Sequence, residues 1–308
     1  MNVDEIRCGD AVRMMHAIDS DSIDLVITSP PYNLGVQYDN CDDYRSWPEY
    51  YTWCRIWLEE VYRVLKPDGR LCLNHYLSCG TAKSRSNPLM NLNAICVAIG
   101  FKEHGIALWT ESSTCKRTAW GSWLSASAPY LSSPHECISV FYKDHWKKDR
   151  KGESTITKEE FMNWTLGIWK MNPERSRGGC PAPFPPELPR RCINLFSYVG
   201  DLVLDPFNGS GATTAVAQQT GRHFIGIDIS DAYCEDAREW LKTGIKPKRP
   251  VLKRMDKRSR QKDLVLTAQC ACGAVIEPGR KRCKLCADKI KLAERTGAAV
   301  GMHKELAV

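Results

Sequence analysis

Short apolar runs bounded by glycine, proline or acidic residues alternate along this chain with longer amphipathic segments. That pattern predicts strands buried in a sheet and helices that cover it. Ile6 to Asp10 reads as a short strand ending in Gly-Asp, and 11–18 as the helix after it. Further strands are predicted at Asp24–Ile27, Arg70–Asn74, Ala107–Glu111, Glu136–Tyr142, Leu202–Leu204 and Phe224–Ile227. Tyr50, Trp53, Trp57, Val61 and Leu65 recur at helical spacing, so 44–65 is predicted as a helix with both tryptophans in the core. It should stop at the turn Lys66-Pro-Asp-Gly69. Leu89–Gly100, Glu187–Leu195 and Asp231–Leu241 are predicted helices, and Thr157 with Glu160 forms a capping box that opens one more. Ser112–Pro134 has weak periodicity and reads as a long loop. Strands alternating with helices imply an α/β fold with a doubly wound sheet.

Composition adds little until charge is mapped. No apolar run reaches the ~20 residues that span a bilayer, and the N-terminus is polar and acidic, so neither a membrane segment nor a secretory leader is expected. Cysteines such as Cys72, Cys96 and Cys137 sit inside apolar runs, which suits reduced thiols in a cytoplasm. The net charge is +7, yet 246–262 alone carries nine Lys/Arg against Asp256, leaving the first 245 residues slightly acidic. A basic linker on a near-neutral domain points to a polyanion. A second basic stretch, about 143–178, interleaves Lys143, Lys147, Lys148, Arg150, Lys170 and Arg175 with Trp146, Trp164 and Trp169, a mixture that fits nucleic-acid contact. Beyond the linker, 263–308 holds Cys270-Ala-Cys272 and Cys283-Lys-Leu-Cys286. Two close cysteine pairs around a glycine-proline turn suit a tetrahedral zinc ion, and so short a segment needs such a staple.

Two stretches carry the chemistry. Asp205-Pro-Phe-Asn-Gly-Ser-Gly-Ala-Thr-Thr214 lies where the strand Leu202–Leu204 meets a helix start. Its glycines permit a tight turn and close approach of a ligand. Asp228, ending the next strand, can accept hydrogen bonds from ribose hydroxyls. Earlier, the strand Asp24–Ile27 runs into Thr28-Ser-Pro-Pro-Tyr-Asn33. Two prolines there remove two backbone donors and leave rigid carbonyls at the C-terminal edge of the sheet, with Tyr32 offering a flat face to a planar ring.

Together these stretches resemble the β class of DNA amino-methyltransferases, over roughly residues 4 to 240. In that class the Ser/Asp/Asn-Pro-Pro-Tyr/Phe motif precedes the cofactor loop, so the resemblance implies a Rossmann-like methyltransferase sheet in circularly permuted order, with target recognition about 143–178. It implies S-adenosylmethionine as cofactor, double-stranded DNA as substrate, and transfer to an exocyclic amine of a base flipped from the duplex. Ser29, Pro30, Pro31 and Tyr32 would be catalytic. Asp10, Pro183, Phe184, Asp205, Phe207, Asn208, Gly209, Ser210, Gly211, Thr213 and Asp228 would hold the cofactor. Asp10 equally suits the N-cap of the helix after it. Cys180 stands where the class has histidine before Pro-Ala-Pro-Phe. Ser-Pro-Pro-Tyr leans to cytosine N4, with adenine N6 as the alternative. His75 reads as structural. An RNA or protein amine methyltransferase, or a silent zinc-bearing DNA-binding protein, are the competing readings. A homodimer and a cognate restriction endonuclease are compatible partners of a prokaryotic or phage enzyme.

Overall fold

The computed structural model describes residues 2–34, 45–81, 84–110, 121–129, 135–174 and 183–247. All of these fall in the first of two units, Met1–Val251; the second, Leu252–Val308, with Cys270, Cys272, Cys283 and Cys286, lies outside the described residues, as do Arg175, Arg177 and Cys180.

Among the described residues one eight-stranded sheet forms the centre. In chain order its strands are β1 (Glu5–Cys8), β2 (Ile23–Thr28), β3 (Leu65–Tyr76), β6 (Lys102–Thr110), β7 (Glu136–Tyr142), β8 (Ile168–Lys170), β9 (Leu202–Asp205) and β10 (His223–Asp228). A separate hairpin pairs β4 (Cys79–Thr81) with β5 (Ser84–Ser86). Across the sheet the order is β1-β10-β9-β2-β3-β7-β6-β8, and only β7 runs against its neighbours. All six residues of β2 and all four of β9 are buried, as strands covered on both faces require.

Helices α1 (Ala11–Met15), α2 (Trp47–Val64) and α3 (Pro88–Ile99) contribute to the core on one face, where Trp57, Val61, Leu92 and Cys96 meet Val26 and Leu204. Helices α5 (Glu187–Phe196), α6 (Ala212–Gln219) and α7 (Asp231–Thr243) cover the other, with Cys192, Val216 and Ala237 against Leu25 and Val203. The sheet is therefore doubly wound. The chain leaves β9 toward β10 and leaves β2 toward β3, so the gap between β2 and β9 is the switch point where such folds bind ligands. The strand order is permuted as expected, because β2 precedes its neighbour β9 by most of the domain.

Local signals explain most boundaries. Ser46 caps α2 and exchanges bonds with Glu49, so the helix starts at Trp47 instead of Tyr44. The predicted box at Thr157 and Glu160 is present and opens α4 (Lys158–Trp164). Lys66-Pro-Asp-Gly69 follows the end of α2, as expected of a helix stop, but it lies inside β3 as an irregularity: Ile23 pairs with Leu65 and Leu25 with Arg70, so two steps along β2 meet five along β3.

The basic stretch is divided. Asp24 and Asp201 are 3% and 0% exposed at the starts of β2 and β9, the edge opposite to Ser29 and Asp228. Buried carboxylates need countercharge. Lys148 Nζ lies 3.6 Å from each, Arg150 pairs with Asp201, and Lys66 Nζ donates to Asp24 at 2.8 Å. Lys143 pairs with Asp21 at 2.7 Å, and Arg70 lies under the Trp146 ring. These cations of the stretch, predicted to meet DNA, are committed to the floor of the sheet instead. The remainder builds α4, which packs on α5 through Arg190, Glu160 and Trp164, and β8, which pairs with β6 at the sheet edge.

Candidate active site

The C-terminal ends of β1, β10, β9 and β2 open onto one cleft. Asp10, Ser29, Pro31, Pro183, Phe184, Phe207, Asn208, Gly209, Ser210 and Asp228 all line it. Residues taken from four strand ends and two loops thus converge on one space. Asp205, Gly211, Thr213, Pro30 and Tyr32, also expected at the site, do not line it.

The glycine loop is held from below. Asp205 is fully buried, and its carboxylate accepts from Phe207 N at 3.0 Å and from Thr213 Oγ1 at 2.6 Å. Asp228 Oδ2 accepts from Gly209 N at 2.8 Å, and its Oδ1 from Ser230 N at 2.9 Å. Before any ligand arrives, Asp228 therefore already fixes the loop to β10. Gly226 makes room for it: a Cβ there would stand 2.7 Å from the Asn208 side chain. Asp10 accepts from Arg13 N at 3.0 Å as the N-cap of α1, as expected, and also lines the cleft.

Burial raises the Asp205 carboxyl group to about 7, its donors opposing that rise. Its folded value lies above its unfolded one. The folded state therefore holds the proton more tightly, and Asp205 lowers stability progressively as pH rises from about 4 to about 7. The melting-temperature difference between Asp205→Asn and the unaltered protein should accordingly shift in favour of the variant across that window and stay level above it. A difference that is flat from pH 4 to 8 would remove this account.

On the catalytic side, one hydrogen-bonded array links Ser29, Tyr32, Asn74 and Glu136. Ser29 Oγ donates to Tyr32 Oη at 2.7 Å, and Tyr32 Oη donates to Glu136 Oε2 at 2.7 Å. Asn74 Nδ2 donates to both Tyr32 Oη and Glu136 Oε2 at 2.8 Å. A carboxylate only accepts, so its end of the array sets the direction of every proton. Ser29 has its proton committed inward and its oxygen also approached by Asn74 Nδ2 at 3.5 Å, which leaves one lone pair for a partner in the cleft. Burial, then the Glu136 charge, push the Tyr32 phenol well above its ordinary value, so it stays protonated.

The Tyr32 ring lies 4.3 Å from His75, tilted 34°, and meets Tyr76 edge-on at 5.1 Å. His75 is fully buried, and burial lowers it to about 3, so it is neutral. Tyr50 Oη donates to the Pro31 carbonyl at 2.7 Å and lies 3.0 Å from His75 Nε2. Of the two rigid proline carbonyls at this edge, that of Pro31 is therefore bound to Tyr50.

Sequence reasoning placed Asn74 and Glu136 at the ends of their strands but gave neither a role. The signal available was a carboxylate opening an otherwise apolar strand, Glu136-Cys-Ile-Ser-Val-Phe141. Trp53 and Trp57, read as core, also form the cleft wall through Phe207, at 5.5 and 5.2 Å. Arg45 and Tyr233 line the cleft and were not foreseen.

Comparison with known proteins bears on this geometry. A family model described as DNA methylase matches residues 23–239. The type II methyltransferase M.MjaVI of Methanocaldococcus jannaschii is 46% identical over 153 residues, 49% of this chain and 78% of the relative. M.MjaI of the same organism is 32% identical over 286 residues, 78% of this chain and 91% of the relative. A putative DNA modification methylase of Thermus thermophilus, TTHA0409, solved with S-adenosyl-L-methionine, superimposes with a TM-score of 0.63 at 25% identity, over 82% of this chain and 98% of that one. The PvuII DNA methyltransferase, described as cytosine-N4-specific, shares the fold with a TM-score of 0.60 at 20% identity, over 84% of this chain and 93% of that one.

Proposed function

The chain belongs to the N6/N4 DNA methylases, and on that footing we propose that it transfers the methyl group of S-adenosylmethionine to the N4 amine of a cytosine flipped from duplex DNA. Related type II methyltransferases and the S-adenosyl-L-methionine complex of TTHA0409 support the reaction class and the cofactor. The observation that carries the choice of residue is Ser29, whose hydroxyl donates to Tyr32, which in turn donates to Glu136.

The cleft fits the cofactor by its donor set. Asp10 and Asp228 offer acceptors suited to an adenine amine and a ribose diol, and Phe184, Phe207 and Trp53 give apolar walls for a ring and a thioether. When bound, the cofactor supplies an electrophilic methyl group on a sulfonium centre.

The protein's task is to make a poor nucleophile attack. The lone pair of an exocyclic amine is spread into its ring, and two acceptors facing the amine hydrogens favour moving density back to nitrogen. Ser29 Oγ supplies one acceptor and the Pro30 carbonyl the other. The face of Tyr32 turned away from His75 stacks on the base. The amine attacks the methyl carbon directly as the methyl–sulfur bond breaks and then gives up one N–H proton to solvent, so no covalent enzyme adduct forms. Holding amine and methyl in line contributes several kcal/mol of the lowered barrier.

Transfer of labelled methyl to mixed-sequence duplex DNA, followed by nucleoside chromatography, tests the reading. Label is expected in N4-methylcytosine. Label in N6-methyladenine would keep the mechanism and overturn the base, and label confined to RNA or protein would overturn the substrate.

We further propose that Cys270, Cys272, Cys283 and Cys286 bind zinc in a small module after the basic linker, and that the linker adds phosphate contacts. The purified chain should carry about one zinc, lost in Cys283→Ser; an unaltered chain with less than about a tenth of a zinc, or a variant that keeps its zinc, would refute the module.

A further inference from the structure

Among the described residues lining the cleft, Arg45 supplies the positive charge, against the two negative charges of Asp10 and Asp228. The catalytic array does not use it. Its backbone is clamped by one side chain: Arg45 N donates to Asn33 Oδ1 at 2.7 Å, and Asn33 Nδ2 donates to the Arg45 carbonyl at 2.9 Å. Asn33 is itself buried and held at φ 58°, a left-handed conformation that asparagine tolerates better than most residues. The residue after Tyr32 thus fixes the residue before the α2 cap. The Arg45 guanidinium lies 5.1 Å from the centre of the Trp53 ring, over a side chain that also lines the cleft. Among the described residues no carboxylate forms an ion pair with it, although Glu49 lies close enough to feel its charge, and no acceptor takes its donors.

The sheet order arranges the cleft in a line. Asp10 follows β1, Asp228 ends β10, the glycine loop follows β9, and Ser29 and Pro31 follow β2. Three strand spacings separate the ends of that line, roughly 14 Å, the reach of an extended nucleoside carrying an amino-acid arm. A nucleoside held at Asp10 and Asp228 would leave its amino-acid arm to the remaining wall, which Trp53 and Arg45 share.

We propose that Arg45 binds the carboxylate of the cofactor's amino-acid arm, an assignment that rests on S-adenosylmethionine being the cofactor. A planar guanidinium with open donors matches a carboxylate with two parallel hydrogen bonds. The Trp53 face beneath it holds the guanidinium plane in place. The Asn33 clamp ties this anchor to the Ser-Pro-Pro-Tyr turn, so the same backbone that places Ser29 also places the arm.

The test uses calorimetric titration of the full chain with S-adenosylmethionine and with decarboxylated S-adenosylmethionine, which lacks only that carboxylate. The unaltered protein should prefer the carboxylate form. Arg45→Met should weaken S-adenosylmethionine about 10- to 100-fold, the loss expected for a charge-assisted pair, and leave the decarboxylated form within about twofold. Arg45→Lys should recover part of the preference. Equal losses for both ligands would make Arg45 a packing residue and overturn the assignment, and so would no loss for either. An unaltered chain that binds neither ligand fails differently: it removes the cofactor reading, and the anchor with it.

Discussion

Replacing Ser29 with alanine should lower kcat about 10²- to 10³-fold, the cost of removing one preorganised group that faces developing charge, with the Kd for S-adenosylmethionine changed less than about twofold. The split follows from the array. Ser29 lines the cleft, but its side chain bonds inward to Tyr32, and the glycine loop is held by Asp205 and Asp228 without it. Removing the hydroxyl takes away one acceptor for the amine and leaves the Tyr32 bonds to Glu136 and Asn74 standing. Glu136→Gln probes the same array from its far end. A glutamine amide can donate to Tyr32 Oη, which frees the phenol proton to turn toward Ser29 and occupy the lone pair meant for the base. Turnover should fall about tenfold with cofactor affinity kept. Single-turnover rates with matched cofactor titrations decide the matter. If Ser29→Ala lost cofactor affinity in proportion to its rate, Ser29 would be a cofactor ligand and the assignment to the base would fail.

Much of this site could be read from the chain because its chemistry sits at strand ends. Asp205, Asp228 and Ser29 each follow a continuous apolar run, and in a doubly wound sheet such positions share one edge. The register places Leu25 beside Val203 and Val26 beside Leu204, which carries the Pro-Pro turn to the glycine loop without further specification. What the sequence hid are partners distant along the chain. Glu136 reaches Tyr32 across 104 positions because β7 runs antiparallel to β3 and sets Glu136 opposite Tyr76. Nothing in local periodicity encodes that pairing. The basic stretch misled for a related reason. Lys148 and Arg150 look solvated in sequence, yet Asp24 and Asp201 start buried strands and attract them to the sheet floor, where Lys143 pairs with Asp21. Asp24 in turn accepts from Leu202 N at 2.9 Å, which ties the catalytic strand to the cofactor strand at its far end. Among the described residues no helix is long and apolar enough to cross a membrane.

Gly211→Ala should destabilise the domain by about 2–5 kcal/mol, from two separable causes. Gly211 adopts φ +96°, a conformation that costs a residue with a Cβ, and that Cβ would stand 2.8 Å from Ala237 Cβ and 2.9 Å from Ala237 Cα. The obstacle is the backbone of α7, so no rotamer change relieves it. Gly200 provides the control, with φ +77° and nothing within 4 Å of a built Cβ. Gly200→Ala should therefore carry only the dihedral cost, about 1–2 kcal/mol. Denaturant unfolding of the two variants isolates the contact between the glycine loop and α7, and the excess for Gly211→Ala should be about 1 kcal/mol or more, of the size seen for overpacking. The same displacement would carry α6 and the loop away from Asp228, so Gly211→Ala should also lose cofactor affinity, whereas Gly200→Ala, at a turn before β9, should keep it. Equal destabilisation by the two variants would mean that α7 yields freely, and the loop would then owe its shape to Asp205 and Asp228 alone.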